Sequence, residues 1–518
     1  MPTEIADGSI VELQCGTVYQ GTLDLQRKTN VTVKTSGTCG KAVLTVGQSV
    51  TGWTRHQGNV YSAPVSFNPA QVVIDAQPIT LAHWPNRDQT WAKPTATSTG
   101  SLSYTMPNSD LAGATLVFRP FEWAIEQRKI SAYADGMMTL APSSDLNFDG
   151  YALGGTPDFY VEGKLWMLDE PGEWAVSGGR LYVWTPDGQS PEGRAWAAPD
   201  ESGIDATNAN GVAIEDVSIF GTANGIRAMG AVNLRVARTE IVNSSQNGIL
   251  NSGGRGLAVD DTGIRNSRHD AIAVKWGGGG ETITNSRIDR SGSIGMPTNA
   301  HAAINLPVGV GSQVRNNAVT NSGYIGIRFF RDATVSGNTV DGACLVLTDC
   351  GGLYSFAEDR LALNSRIDGN TIRNAGPAQR LAWGIFLDAY ANSVTITNNH
   401  VSGNGNGMMI HNGYNHIVTG NTFSANRQAH IQMVESGSVG STRNNAVSRN
   451  IFISTIGEES FRISSDFGTG SVAQFGTYDF NDYASASAIF ANFNGEALDF
   501  AQWKSRTGQD GSSTVKAP

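Results

Sequence analysis

The stretch VSGNTV (335–340) returns down the second half of this chain. Its copies are IDGNTI (367–372), ITNNHV (396–401), VTGNTF (418–423) and VSRNIF (447–452), and VRNNAV (314–319) precedes it. Each copy is an apolar residue, two small or polar residues, an Asn, one further residue and a second apolar residue. The Asn positions 317, 338, 370, 399, 421 and 450 are separated by steps of 21, 32, 29, 22 and 29 residues. Repeats of roughly 20–50 residues mark a stacked array, in which each unit buries its apolar face only against its neighbours.

A second element runs in phase with the first. About ten residues after the Asn, on the order of one short connection, come GIRFF from Gly326, GLYSF from Gly352, GIFLD from Gly384, GMMIH from Gly407 and HIQMV from His430. Looser copies begin at Gly225, Gly248, Ala271 and Ala303. Apolar residues alternate within them (Ile385 and Leu387, Met408 and Ile410), the period of a strand with one buried face. The class is therefore all-β, a parallel β-solenoid whose equivalent residues lie roughly 4.8 Å apart in successive coils. Stacked Asn side chains are expected to hydrogen-bond along their column and to tolerate left-handed backbone at a turn.

The chain has 518 residues, 61 of them Gly, with 16% charged residues and a net charge of −10, a composition suited to a turn-rich β protein. No basic run appears, which excludes a nucleic-acid partner. There is no apolar run near 18 residues, so no membrane-spanning helix is expected. No signal peptide is visible, and Met1-Pro2-Thr3 reads as the start of a trimmed mature chain. The four cysteines fall into two local pairs, Cys15 with Cys39 and Cys344 with Cys350, without metal-ligand spacing. Two disulfides and a secreted or periplasmic location are expected, with no metal and no cofactor.

Residues 1–50 read as the first coils. From 51 to 199 the repeat disappears, aromatics accumulate (Trp53, Trp84, Trp91, Trp123, Trp166, Trp174, Trp184) and runs such as RLYVW (180–184) alternate, the pattern of an inserted β-sandwich-like subdomain. The solenoid resumes over 200–465 and carries the groove. Residues 466–518, with Tyr478, Phe480, Tyr483, Phe490 and Phe493, read as a C-terminal coil and cap over what would otherwise be an exposed sheet edge.

Outward strand positions line up in columns. The third position reads Arg328, Tyr354, Phe386, Met409 and Gln432; the fifth reads Lys275, Pro307, Phe330, Phe356, Asp388, His411 and Val434. Aromatic residues in adjacent coils offer a platform for sugar rings. Asp388, framed by Phe356 and His411, is the leading catalytic candidate. Two neighbouring coils carry long turns, DGACLVLTDCG (341–351) and NAGPAQRLAW (374–383), and FAEDRLALN (356–364) extends the strand end, so the turns wall a groove. Glycosidic bonds are cleaved by paired carboxylates, and Asp349 or Glu358 is the candidate partner. His411, Tyr354, Arg328, Phe356, Phe386 and Lys275 are the candidate substrate contacts. His269, Asp270 and His301 read as more distant subsite or structural residues.

FYVEGKLWMLDEPGEWAVSGGRLYVW (159–184) and LAHWPN (81–86) resemble the β-sandwich insertion of carbohydrate-active right-handed parallel β-helix proteins. TDCGGLYSF (348–356) and WGIFLDAYANS (383–393) resemble the two acidic motifs of β-helix glycoside hydrolases that act on xylosides or fucosides. The resemblance implies a right-handed β-helix and Asp349 with Asp388 as the catalytic pair. Cys350 within the first motif and Ala389 after Asp388 depart from the pattern. Extended geometry would leave Asp349 and Asp388 roughly 20 Å apart, so a folded-back Asp349 loop, a different register and Glu358 as partner all stay open. The sequence thus points to a secreted polysaccharide-degrading glycoside hydrolase. A polysaccharide lyase or C5-epimerase, using Lys275, Arg328, Tyr354 or His411, and a non-catalytic glycan binder are the alternatives.

Overall fold

The repeated Asn residues form a single buried column in the computed structural model, which describes all residues except 3, 88, 143–156, 293–300, 377–380, 456, 469–473, 486 and 517–518. Asn317, Asn338, Asn370, Asn399, Asn421 and Asn450 are each 2% exposed or less. From Asn338 to Asn450 each member accepts, through Oδ1, the backbone N–H and the side-chain amide of the Asn one coil earlier, both at 2.9 Å for Asn370 and Asn338, while Asn317 at the head accepts from the Ser286 N–H at 3.0 Å. The amide also donates across to a backbone carbonyl, as Asn370 does to Val335 O at 2.9 Å. The column runs on to Asn481, which accepts from Asn450. The left-handed backbone expected at the stacked Asn residues sits instead on the residue before each: φ is 57° at Asn316, 64° at Gly337 and Gly369, 57° at Asn398, 70° at Gly420 and 56° at Arg449, so Gly or Asn fills all but the last of these corners. That residue makes the sharp corner, which only Gly and Asn adopt at low cost, and the turn then aims the next side chain inward.

Each coil contributes one strand to each of three sheets of 13, 14 and 14 strands. Pairing is parallel and in register throughout, apart from the antiparallel closing pair Ala491–Phe493 with Glu496–Leu498. The fold is therefore a parallel β-helix with one continuous apolar core, fed by columns such as Val314, Val335, Ile367 and Ile396. Where the chain enters the third sheet, Gly326, Gly352, Gly384 and Gly407 repeat because no side chain fits. A Cβ on Gly384 would stand 2.5 Å from Val401 Cγ1 and 2.8 Å from the Gly407 carbonyl.

Between Gln48 and Ala198 the chain leaves the helix and builds an eight-stranded and a seven-stranded sheet with two small cores of their own. One hairpin, Thr115–Phe121 with Ala124–Ala134, carries its turn back to the solenoid. At the far end the helix Phe500–Thr507 closes the core. Asp499 caps it by accepting from Gln502 N at 2.8 Å, and Trp503, 1% exposed, stacks on Phe461 with ring centroids 5.5 Å apart. Cys15–Cys39 and Cys344–Cys350 are disulfide-bonded. Among the described residues no helix is long and apolar enough to cross a membrane.

The column yields a stability test. Asn370→Ala strips partners from Asn338 and Asn399 inside the core, and each buried polar group left unpaired costs about 1–3 kcal/mol. Guanidinium unfolding should show a clear loss of stability for this variant. Asn398→Gly, at the left-handed corner position that Gly occupies in neighbouring coils, should change little.

Candidate functional site

The outer face of the third sheet holds the expected columns. Arg328, Tyr354, Phe386, Met409 and Gln432 are directly paired from strand to strand. Asp388 follows the strand Ala382–Leu387, and its N–H donates to the Ser355 carbonyl at 2.9 Å, next to half-buried Phe356. Three groups converge on its carboxylate. The Tyr354 hydroxyl donates to Oδ2 at 2.8 Å, the Ala389 N–H donates to Oδ1 at 2.7 Å, and His411 Nδ1 lies 2.9 Å from Oδ1. His411 is fixed from behind, with Nε2 2.9 Å from Ser436 Oγ. Burial, and then the charge of Asp388, holds the Tyr354 hydroxyl well above the usual phenol range, so it stays a donor. Arg328 stands over the Tyr354 ring at 5.6 Å, a cation–π distance.

Asp349 faces the same site from the disulfide loop. Its backbone is left-handed, with φ 54°, its N–H donates to Leu381 O at 2.6 Å, and its carbonyl accepts from the Tyr324 hydroxyl at 3.1 Å. Burial pushes its carboxyl up to about 6; the Asp388 charge pushes the same way, His411 opposes, and Glu122 adds a smaller upward push. The charge of Asp388 is thus felt at Asp349. The Asp349 N–H bonds the Leu381 carbonyl and Cys350–Ser355 pairs in register with Ala382–Leu387, so the register is the one the sequence implied, and the charge of Asp388 nonetheless reaches Asp349.

Other candidates fall elsewhere. Glu358, the alternative partner for Asp388, is exposed beyond the strand end. Phe386 is 1% exposed, covered by Trp383, Tyr354 and Met409, so it forms a floor and offers no stacking face. Trp383 lies across it at 4.5 Å and donates from Nε1 to Gln432 Oε1 at 3.1 Å. Lys275 is tied 3.1 Å from Asp270 Oδ2, in a separate cluster with His301, and lies four strand steps from Asp388, roughly 19 Å at the spacing of paired strands. Residues 377–380 of the second long turn lie outside the described residues.

Two contributors escaped the sequence reading. Tyr324, whose hydroxyl bonds the Asp349 carbonyl, feels both charges. Glu122 comes from the hairpin turn of the insertion, where its carbonyl accepts from Thr348 N at 3.0 Å, and flanking Phe121 and Trp123 stack 4.8 Å apart. The turn itself was readable between two alternating runs, but its docking partner 226 residues downstream was not. No group of three or more His, Cys, Asp or Glu poised to hold a metal occurs among the described residues.

The family described as Right handed beta helix region matches residues 202–361 and 351–458. No curated protein matches significantly. Among solved structures, one titled "Glycoside hydrolase" superposes with a TM-score of 0.57 at 11% identity, over 86% of this chain and 90% of that one. A complex of XylC with xylose gives 0.41 at 11% identity, over 99% and 78% of the two chains. The A-module of the Azotobacter vinelandii mannuronan C-5 epimerase AlgE4 gives 0.38 at 14% identity, over 62% and 86%. Identities this low speak to the fold, a right-handed parallel β-helix, and the two scores below 0.5 carry no argument.

The charges acting on Asp349 can be removed singly. Asp388→Asn deletes the neighbouring negative charge, so loss of the Asp349 proton becomes easier and its titration midpoint should drop from about 6 toward the ordinary carboxylate range. Glu122→Gln should lower it less. NMR of carboxyl-labelled aspartate reads both; a midpoint unmoved by Asp388→Asn would show that the two acids do not interact.

Proposed function

We propose that this right-handed parallel β-helix protein is a glycoside hydrolase that cleaves a polysaccharide or oligosaccharide, with Asp388 as nucleophile or general base and Asp349 as general acid. What supports the reading is a pair of carboxyls in unlike settings, Asp388 amid hydrogen-bonding groups and Asp349 buried and under the influence of the Asp388 charge. Asp388 receives three hydrogen-bonding groups, which suits an ionised carboxylate whose lone pairs are held in place. Asp349 is raised to about 6 by burial and by Asp388, which suits a group that must arrive protonated at the leaving oxygen. Paired carboxyls with divided roles are what glycosidic cleavage requires.

His411 holds Asp388 in orientation, and Tyr354 supplies a hydrogen bond that strengthens or weakens as charge on Asp388 changes during reaction. Arg328, beside Tyr354, is placed to meet sugar hydroxyls. A lyase or epimerase would need a base to take a ring proton; Tyr354 is poorly suited because its proton is held by burial and by Asp388. The structure titled glycoside hydrolase fits the same reading. All four cysteines are paired, which favours an oxidising compartment and hence secretion or the periplasm.

Screening plant and bacterial polysaccharides for reducing-end release tests the proposal, and an unsaturated product would instead identify a lyase. On the substrate found, Asp388→Asn should lower turnover at least about a thousandfold, about 4 kcal/mol of barrier, with the fold retained. Asp349→Asn should cost about 10²–10⁴-fold and remove the activity loss expected as pH rises through about 6 in the wild type. Glu358→Gln should leave turnover near normal. Should Asp388→Asn turn over normally, the assignment fails.

The disulfide next to Asp349 gives an independent check. Paired Cys344→Ser and Cys350→Ser substitutions free the loop that aims Asp349, so turnover should drop about tenfold or more, since misplacement of about 1 Å at a reacting group can cost about a hundredfold. Binding of product should change little.

A further inference from the structure

A cavity of about 780 Å³ lies between the insertion and the solenoid, apart from the two carboxyls. Its volume falls within the roughly 300–1,000 Å³ of small-molecule sites. One wall is aromatic: Trp91 stands edge-on to Tyr160 at 4.8 Å, and the insertion's Trp174 also lines the space. The opposite wall belongs to the solenoid, from which Arg268 reaches across to Glu162 at 3.7 Å. Flat rings beside fork-shaped polar groups match the alternating apolar faces and hydroxyl edges of a sugar.

The charges narrow the ligand further. Of the three arginines lining the cavity, Arg268 faces Glu162 at 3.7 Å and Arg290 pairs with Asp289 at 3.0 Å, which leaves Arg87, a single cation where a polyanion would meet several. Glu162 is the one carboxyl lining the cavity among the described residues. Hydrolysis of a glycoside takes two, so the cavity is suited to holding a sugar and not to cutting it. Glu162 is 5% exposed, and burial raises its carboxyl above the usual range despite Arg268 and Lys129. A buried acid of this kind is stabilised by hydroxyl groups that can both donate and accept. Ile125 and Val346, also lining the cavity, lie three residues from Glu122 and Asp349, so the same hairpin and loop separate the cavity from the carboxyl groove.

We infer that this cavity is a second, non-catalytic binding site for a short neutral oligosaccharide, with Trp91, Tyr160, Glu162 and Arg268 as its contacts. The inference concerns binding alone and does not require that the groove hydrolyse glycans.

Calorimetric titration of the full-length Asp388→Asn protein with xylotetraose, cellotetraose, mannotetraose and, as an anionic comparison, tetragalacturonate tests it. At least one neutral tetrasaccharide should bind at a site that Arg268→Ala and Tyr160→Ala each weaken tenfold or more. Trp91→Phe, which keeps a ring, should weaken it less than Trp91→Ala. Circular dichroism and an unchanged unfolding midpoint certify the fold of each variant, and if Arg268→Ala fails that control, Arg268→Gln takes its place. Wild-type turnover in the groove should persist in Arg268→Ala, which separates this inference from the hydrolase proposal. Binding insensitive to Arg268 and Tyr160 would overturn the inference, as would Arg268-dependent binding of tetragalacturonate alone or no binding of any neutral tetrasaccharide.

Discussion

Everything in this molecule depends on the parallel hydrogen bonding that joins each coil to the next without a shift in register. Backbone pairing alone tolerates slippage in a flat, uniform sheet, but here a one-residue slip would turn a buried column toward water. The Asn column adds a second lock. Each buried amide must meet both a neighbouring Asn and a backbone carbonyl, and an unmet partner in the core is costly. With register held in this way, residues far apart in the chain come into line on the outer face. Tyr354, Asp388 and His411 meet because their coils are adjacent and their strand positions match.

Much of this was legible from the repeat. The spacing of Asn338, Asn370, Asn399 and Asn421 implied stacking, and the glycine-led strands gave the column that carries Asp388 and His411 its alignment. What the repeat could not disclose was anything decided by turns and by docking. The left-handed residue belongs one position before the ladder Asn, a detail of backbone geometry that the motif does not distinguish. The burial of Asp349 and the reach of the Asp388 charge to it depend on turn geometry that the repeat does not encode. Phe386 occupies an outward position yet is covered by Trp383, because a neighbouring large side chain can fold over a column that periodicity marks as exposed. Glu122 enters through an inserted subdomain whose contact with the solenoid has no periodic signal.

The carboxyl site illustrates a division of labour between frame and insertion. The solenoid supplies Asp388 with rigid strand-borne partners, while Asp349 sits on a disulfide-closed turn braced by the insertion hairpin. Rigid elements give precision, and the turn buries a carboxyl whose hold on its proton is raised by burial and by the Asp388 charge together. Coil lengths vary only in their turns, so new groove walls can be built without disturbing the columns beneath them.

The helix Phe500–Thr507 carries a further implication. A stack of in-register parallel strands is a template, and its last coil would present unpaired N–H and C=O groups to any extended segment that arrived. Trp503 plugs the core with its ring on Phe461, and its indole N–H is tied to Asp510, which is itself buried beneath Tyr483. The helix therefore acts as a chain terminator in the polymer sense. It closes the core of a structure whose pairing rule has no intrinsic stop, and one sheet runs a parallel step further, through Thr514–Lys516 paired with Asp482–Ser485.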